Sequence, residues 1–133
     1  MQDDTEQTDK KAEPTKAELE ILQVLWEQGP CTVRAVNDVL NAQKKAVQYT
    51  STLKQMQLMA EKGMLLRDES SMKHVYRAAI EEQKTKGALL DRLVDSLYKG
   101  SVSGMMMQLL GNKKASKAEL EAIRKMLDQL DNE

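Results

Sequence analysis

The fold of this chain is decided by the stretch VQYTSTLKQMQLMAEKG, which runs from Val47 to Gly63. Apolar and small residues recur in it at the spacing of one helix face, which predicts a single amphipathic helix. Gly63 follows as a residue that can adopt the left-handed backbone conformation of a helix end. The stripe expected to pack inward comprises Thr52, Met56, Met59 and Ala60.

The opposite face of this helix is polar but almost uncharged. Threonine, serine, glutamine and lysine side chains suit contacts with the base edges and phosphates of DNA. An ordinary half-buried helix with an undemanding outer face would show the same pattern, so the neighbouring elements must decide between the two interpretations. The residues of the outer face are Thr50, Ser51, Lys54, Gln57 and Leu58.

Composition indicates a soluble chain of one domain, or of a small domain with an appendage, since it has 133 residues and 41% hydrophobic residues. With no Phe, one Trp and nine Met, the core should be aliphatic, rich in methionine and adaptable. The single cysteine, Cys31, allows neither an internal disulfide nor a cysteine metal cluster, and we expect a packed, inert thiol. No apolar run approaches the roughly 20 residues of a membrane span, and the acidic N-terminus resembles no signal peptide. A cytoplasmic protein without membrane insertion is expected.

Charge is unevenly distributed along the chain. The formal net charge of −1 and the pI near 5.9 argue mildly against a nucleic-acid partner. Residues 41–78, however, contain seven basic and three acidic residues, a local excess of four positive charges. Because salt screens charges beyond about 8–10 Å, this local excess matters more than the acidic ends of the chain.

The first segments predict a tail and a capped helix. Residues 1–14 are polar and charged and should form a disordered acidic tail. Thr15 and Glu18 then form a T-x-x-E capping box ahead of an apolar stripe that ends at Trp26, which we interpret as a core anchor. Gly29-Pro30 should end this first helix.

The following segments predict a helix-turn-helix with a wing. Thr32 should cap a short helix over Val33–Asn41, and a short connection leads from it into the amphipathic helix described first. After Gly63 the pattern changes to two short strands, 64–67 and 74–78, joined by a turn. His74, which has no partners for metal coordination, is interpreted as a structural residue of this wing.

Three further helices are predicted after residue 80, and together they are too short to close a core alone. Their apolar stripes should pair with a second copy of the chain, although they could also fold back on the winged helix. The chain is thus predicted to be mainly α: a winged helix-turn-helix of three helices and a β-hairpin wing at 15–80, then a helical dimerisation region at 81–133. The dimerisation residues are predicted to be Leu90, Leu93, Leu97, Met105, Met106, Leu109, Leu120, Ile123 and Leu127.

Motifs of catalysis are absent from the sequence. It contains no nucleophile elbow, phosphate-binding loop, dinucleotide fingerprint or H-E-x-x-H. With one His and one Cys, the usual general bases and thiolates have no neighbours. We therefore expect no enzyme, no catalytic residue, no cofactor and no bound metal.

The order and spacing of several segments resemble the BlaI/MecI/CopY family of penicillinase and methicillin-resistance repressors. The stretch Tyr49–Gly63 resembles the recognition-helix pattern Y-T-T-V-x-x-x-L-x-x-L-x-x-K-G of that family, and the likeness covers roughly residues 15–130. The other matching segments are Ala17-Glu18 leading to Trp26, Val75-Tyr76-Arg77 in the second wing strand, and Leu97-Tyr98-Lys99-Gly100 before the dimerisation helices.

The resemblance implies a homodimeric repressor that binds a two-fold symmetric operator of resistance or stress genes. It also implies release of DNA when a sensor-protease pathway causes cleavage in the dimerisation region. The sequence departs from the family pattern at Thr52, where the family has an apolar residue, at Leu58, where it often has Arg, and at Gln108-Leu109, where it often has Asn-Phe. No cysteine follows Cys31, which argues against the copper-sensing branch.

Contacts with DNA can be predicted for individual residues of this arrangement. Thr50, Ser51 and Lys54 should enter the major groove, and Gln57 is a further candidate for base contact. One monomer offers few contacts, so two half-sites one or two helical turns apart are needed. Phosphate or sugar contacts are predicted for Thr32, Arg34, Lys44, Lys45, Tyr49 and, at the wing tip, Lys73.

Two other functions remain open at this point. One is a winged-helix regulator that binds a small effector directly, and a ligand pocket between the winged helix and the C-terminal helices would favour it. The other is a protein-interaction adaptor that keeps the fold without binding DNA. The low net charge and Leu58 support the adaptor, and a gel shift with genomic fragments would separate it from a repressor.

Overall fold

The computed structural model describes residues 13–43, 46–112 and 115–132. Of these residues, 68% are helical. The six helices and a small three-stranded antiparallel sheet confirm the predicted winged helix followed by a helical region. Of the predicted acidic tail, residues 1–12 lie outside the described part. In chain order the elements are α1 Lys16–Gln28, β1 Cys31–Thr32, α2 Val33–Gln43, α3 Tyr49–Glu61, β2 Leu65–Asp68, β3 Val75–Ala78, α4 Glu82–Tyr98, α5 Val102–Gly111 and α6 Lys117–Asp131.

Helix α1 begins at the predicted capping box. Thr15 Oγ1 accepts a hydrogen bond from the Glu18 backbone N–H at 3.2 Å, and Glu18 Oε1 accepts one from the Thr15 N–H at 2.8 Å. Gly29, at φ 81°, ends the helix. Near its end, Trp26 Nε1 donates to the Ile80 carbonyl at 3.0 Å, so the side chain joins α1 to the segment after β3.

Helices α2 and α3 form the helix-turn-helix. Thr32 Oγ1 accepts from the Ala35 N–H at 3.2 Å, which confirms the predicted cap, but α2 continues two residues beyond the predicted end at Asn41. At the end of α3 the Gly63 N–H donates to the Ala60 carbonyl, and the Met64 N–H donates to the Met59 carbonyl at 2.9 Å. This is a Schellman cap, and the φ of 86° at Gly63 is the left-handed conformation that it requires.

The sheet has strand order β1-β3-β2, and β3 pairs antiparallel with both neighbours. In the middle strand, Tyr76 lies opposite Cys31 on one side and Arg67 on the other. Strand β1 was not predicted from the sequence. Asp68 Oδ1 accepts from the Ser70 N–H at 2.9 Å and so shapes the start of the wing turn.

The core of the winged helix is aliphatic and rich in methionine, as expected from composition. Three polar residues are buried in it, namely Glu18, Asn37 and Thr52. The predicted inner stripe of α3 is correct, although Ala60 is only half-buried. The buried apolar residues are Ile21, Leu22, Val24 and Leu25 of α1, Val33, Val36 and Leu40 of α2, Met56 and Met59 of α3, and Met64, Leu65 and Tyr76 after it.

The chain divides into two compact units, residues 1–87 and residues 88–133. In the second unit, Ser116 and Glu119 form a capping box at the start of α6, and Ser101 Oγ accepts from the Gly104 N–H at the start of α5. Neither α5 nor α6 contains a buried residue. None of the helices in the described ranges has the length and apolarity needed to traverse a lipid bilayer.

Candidate nucleic-acid interface

An open cleft of about 470 Å³ lies between the start of α2, the outer side of α3 and the wing. It brings together predicted backbone-contact residues that are far apart in the sequence. The predicted residues in the lining are Thr32, Arg34, Tyr49, Gln57 and Lys73, and the others are Val33, Leu53, Met72, His74 and Tyr76.

Arg34 is held against Tyr49 within this cleft. The guanidinium carbon lies 4.4 Å from the centroid of the Tyr49 ring, which is a cation–π contact. Arg34 is in the first turn of α2, and Tyr49 is the first residue of α3. The contact therefore orients a basic side chain at the point where the two helices of the helix-turn-helix meet the cleft.

The outer face of α3 is exposed as predicted. Thr50, Ser51 and Lys54 are all exposed and do not belong to the cleft lining, whereas Gln57 is exposed and does belong to it. Leu58 leaves 41% of its surface accessible, so an apolar side chain lies on this otherwise polar face. Lys44 and Lys45 lie outside the described residues.

The wing carries both paired and unpaired charges. Glu69 Oε2 lies 3.0 Å from Arg67 Nη2, and its other oxygen lies 3.8 Å from His74 Nε2. Among the described residues Lys73 forms no ion pair, and the neighbouring Met72 is fully exposed. His74 and Met72 were not predicted as site residues, and only their position in the turn next to Lys73 could have indicated it.

An ion pair with a buried carboxylate joins the end of α3 to α1. Lys62 Nζ lies 2.9 Å from Glu18 Oε2, and the Glu18 side chain is 2% exposed. Burial alone would raise the pKa of Glu18, but the Thr15 backbone N–H and the Lys62 ammonium group outweigh it and hold the pKa below its ordinary value. Glu18 is therefore a carboxylate at neutral pH, and this charge helps to fix the end of α3.

The surroundings of Cys31 disfavour its thiolate form. It packs against the core, and its Sγ–H donates to the Gly29 carbonyl at 3.3 Å. Burial raises its pKa, so the thiolate is disfavoured at neutral pH. Within the described ranges, no group of three His, Cys, Asp or Glu residues is placed to hold a metal ion.

A winged helix-turn-helix with an exposed polar third helix beside a cleft that carries basic residues defines a DNA-binding transcription regulator. The family model described as Penicillinase repressor matches residues 14–129. The chain belongs to this family, the BlaI/MecI/CopY family of DNA-binding transcriptional repressors, which is not a class of enzymes. No curated protein sequence matches the chain.

Proposed function

We propose that this protein represses transcription as a homodimer that binds a palindromic operator, with one α3 helix of each protomer in the major groove. The proposal is supported above all by the cleft, which contains four of the six predicted backbone-contact residues, next to the exposed face of α3.

Base contacts are assigned to the outer face of α3. Thr50 and Lys54 lie one helical turn apart and are both exposed, so they can enter the same groove. Ser51 follows on the same exposed surface, and Gln57 lies further along the helix. Hydroxyl, amide and ammonium groups can donate to purine N7 and O6, and hydroxyl and amide oxygens can also accept from base amino groups.

Phosphate contacts are assigned to the two sides of the cleft. On one side the N-terminal turn of α2 offers Thr32 and Arg34, and Tyr49 holds Arg34 in place. On the other side Lys73 projects from the wing. A phosphate backbone that follows the cleft would thus be gripped from both sides, and Lys44 and Lys45, in the connection between α2 and α3, would add further charge.

Dimerisation is assigned to the helices of the second unit. Several large apolar side chains there remain exposed, including Leu93 at 44% and Leu127 at 56%. Exposed apolar stripes of this extent mark association surfaces in soluble proteins. The proposed residues are Leu90, Leu93, Leu97, Met105, Met106, Leu109, Leu120, Ile123 and Leu127, of which Met105, Met106 and Ile123 are half-buried within one chain.

Release of DNA by proteolysis, through a sensor-protease pathway that controls resistance or stress genes, is the finer part of the proposal. The Gln108-Leu109 bond lies inside α5, and both residues are exposed. A protease requires an extended segment, so α5 must unfold locally before cleavage. Within one chain α5 contains no buried residue, so this opening has to break chiefly the proposed dimer contacts of Met105, Met106 and Leu109.

The decisive experiment combines light scattering with DNA binding. The purified protein is expected to be a dimer at micromolar concentration and to enrich an inverted repeat from a random duplex library. Its affinity for the enriched duplex should exceed that for unrelated DNA by about a thousandfold or more at physiological salt. A monomer with no sequence preference would refute the proposal, and binding that appears only with a small molecule would favour an effector-dependent regulator.

A further inference from the structure

Two of the three buried polar residues in the described winged helix, Asn37 and Thr52, contact each other. Asn37 Nδ2 donates to Thr52 Oγ1 at 2.8 Å, and the two residues are 3% and 2% exposed. Thr52 is the residue that departs from the apolar position of the family pattern. Its hydroxyl is therefore satisfied by a side chain of α2, which removes the cost of burying an unpaired polar group.

The same amide of Asn37 also holds the backbone ahead of α3. Its second N–H donates to the Val47 carbonyl at 3.0 Å, and its oxygen accepts from Asn41 Nδ2 at 3.2 Å. A carbonyl can only accept, so the nitrogen of Asn37 must be the atom that faces Val47. Asn41 Oδ1 in turn accepts from the Val47 N–H, so both backbone polar groups of Val47 are bound by side chains of α2.

Helix α3 has no side-chain cap of its own. Gln48 occupies the N-cap position, and its side chain makes no capping hydrogen bond. Only its carbonyl contributes, accepting from the Ser51 and Thr52 N–H groups at 3.1 and 3.2 Å. The start of α3 is thus located by Asn37 and Asn41 rather than by a local cap.

We propose that Asn37, acting through Thr52 and Val47, is a positioning residue that sets the direction in which α3 leaves the turn and hence its fit to the operator. This inference rests on the proposed DNA-binding function. An apolar pair of similar volume could fill the space between Asn37 and Thr52, but it would leave the Val47 carbonyl and the Asn41 amide without Asn37 as their partner. Hydrogen bonds fix both distance and direction, whereas an apolar contact would let α3 slide or rotate.

The test compares the double variant Asn37→Leu/Thr52→Val with Thr52→Ser, which keeps the hydroxyl and serves as the control. The probes are the inverted repeat enriched by the wild type and an unrelated duplex of equal length. For the double variant we expect at least a tenfold loss of affinity for the enriched repeat and a change within twofold in affinity for the unrelated duplex. We also expect a lower urea midpoint, because the Val47 carbonyl loses its donor. The affinity of Thr52→Ser for each of the two duplexes should stay within twofold of the wild-type value.

Two results would overturn the inference: unchanged affinity of the double variant for the enriched repeat, or an equal loss on both duplexes. If the double variant does not fold, the single variant Thr52→Val takes its place. Its affinity for the enriched repeat is expected to fall at least threefold, and its affinity for the unrelated duplex should not change. Unchanged affinity of Thr52→Val for the repeat, or an equal loss on both duplexes, then contradicts the role of Asn37.

A second measurement separates this inference from the proposed function, because it needs no DNA. Amide hydrogen exchange at Val47, Ser51 and Thr52 should be at least tenfold faster in the double variant, or in Thr52→Val if only that variant folds, while amides of α1 keep their rates. If the wild type enriches no sequence, the proposed function fails and this exchange result alone decides the positioning role. Equal exchange rates in variant and wild type would overturn it.

Discussion

Lys62, at the C-terminal end of α3, forms its ion pair with Glu18, in the first turn of α1, across a distance of 2.9 Å. The carboxylate is buried, whereas half of the Lys62 side chain remains accessible to water. Each charge also has the sign that its helix terminus favours, an acid near an N-terminus and a base near a C-terminus. The pair therefore joins the last turn of the proposed recognition helix to the first turn of the domain.

Replacing Lys62 with methionine should destabilise the protein, because the buried Glu18 carboxylate loses its cationic partner. The free energy of unfolding is expected to fall by about 1–3 kcal/mol, as measured by urea denaturation at pH 7. The matched control is Lys54→Met, which removes an exposed lysine of α3 that forms no ion pair with any described residue. Equal midpoints for the Lys62 variant and the wild type would show that the pair contributes nothing.

Acid should weaken the fold through Glu18. Its pKa is lowered in the folded state, so its contribution to stability is present above the unfolded-chain pKa of about 4.3 and is lost as the pH falls through the lower folded value. Glu18→Gln should therefore be less stable than the wild type at pH 7, and the difference should shrink below pH 4. Urea midpoints of both proteins between pH 7 and pH values below 4 measure this difference in stability. A difference that stays constant with pH would contradict the lowered pKa of Glu18.

Two lysines should differ in how they affect DNA binding. Lys54→Ala is expected to lose about 1–3 kcal/mol of binding free energy on the enriched operator and less on unrelated DNA, because the residue is assigned to base contacts. Lys73→Ala should weaken binding to all sequences alike, because the residue is assigned to phosphate. The slope of the logarithm of the binding constant against the logarithm of the salt concentration should fall in magnitude by about one. Fluorescence anisotropy at several salt concentrations distinguishes them. Lys125→Ala removes an equal charge from α6 as the control, and an equal loss for Lys54→Ala on every sequence would reassign that residue to the backbone.

Charges placed in the proposed dimer surface should separate the protomers. Leu93→Asp/Leu127→Asp is expected to elute as a monomer in light scattering and to bind the operator at least about tenfold more weakly, since one half-site offers few contacts. Amide exchange in α1 should remain unchanged, because the winged helix has its own core. The control is Gln129→Asp, which introduces a charge at an exposed position of α6, the helix that also contains Leu127. A double variant that remains dimeric would place the interface elsewhere.

Cys31 should react slowly with alkylating reagents. Burial raises its pKa, so the reactive thiolate is scarce at pH 8, and access is restricted as well. Reaction with iodoacetamide, followed by mass spectrometry, is expected to be about tenfold or more slower in the folded protein than in urea. Equal rates in the two conditions would mean that the thiol is not protected by the fold.

Elements with strong local signals could be predicted from the sequence. The capping boxes at Thr15 and Ser116 mark helix starts because the side chain and the backbone satisfy each other within one turn. Gly63 marks the end of α3 because few other residues adopt its backbone conformation. Five of the ten residues that line the cleft were among the predicted site residues, because the order of the helix-turn-helix and the wing brings distant segments together.

Features that depend on tertiary pairing could not be predicted. Strand β1 has two residues, too few for an alternating pattern, and it exists only because β3 pairs with it. Asn37 resembles a solvent-facing helix residue in the sequence, and its burial follows from partners ten and fifteen positions later. Those partners are adjacent only after α2 and α3 have packed.

The inner side of α3 rests on methionines, since Met56, Met59 and the following Met64 are at most 1% exposed. Thioether side chains are unbranched and adjust readily to new neighbours. Substitutions on the opposite side of α3 can thus be absorbed by small rearrangements underneath. A lineage that needs to recognise a different control site could exchange the outward residues one at a time and keep a folded protein at every step.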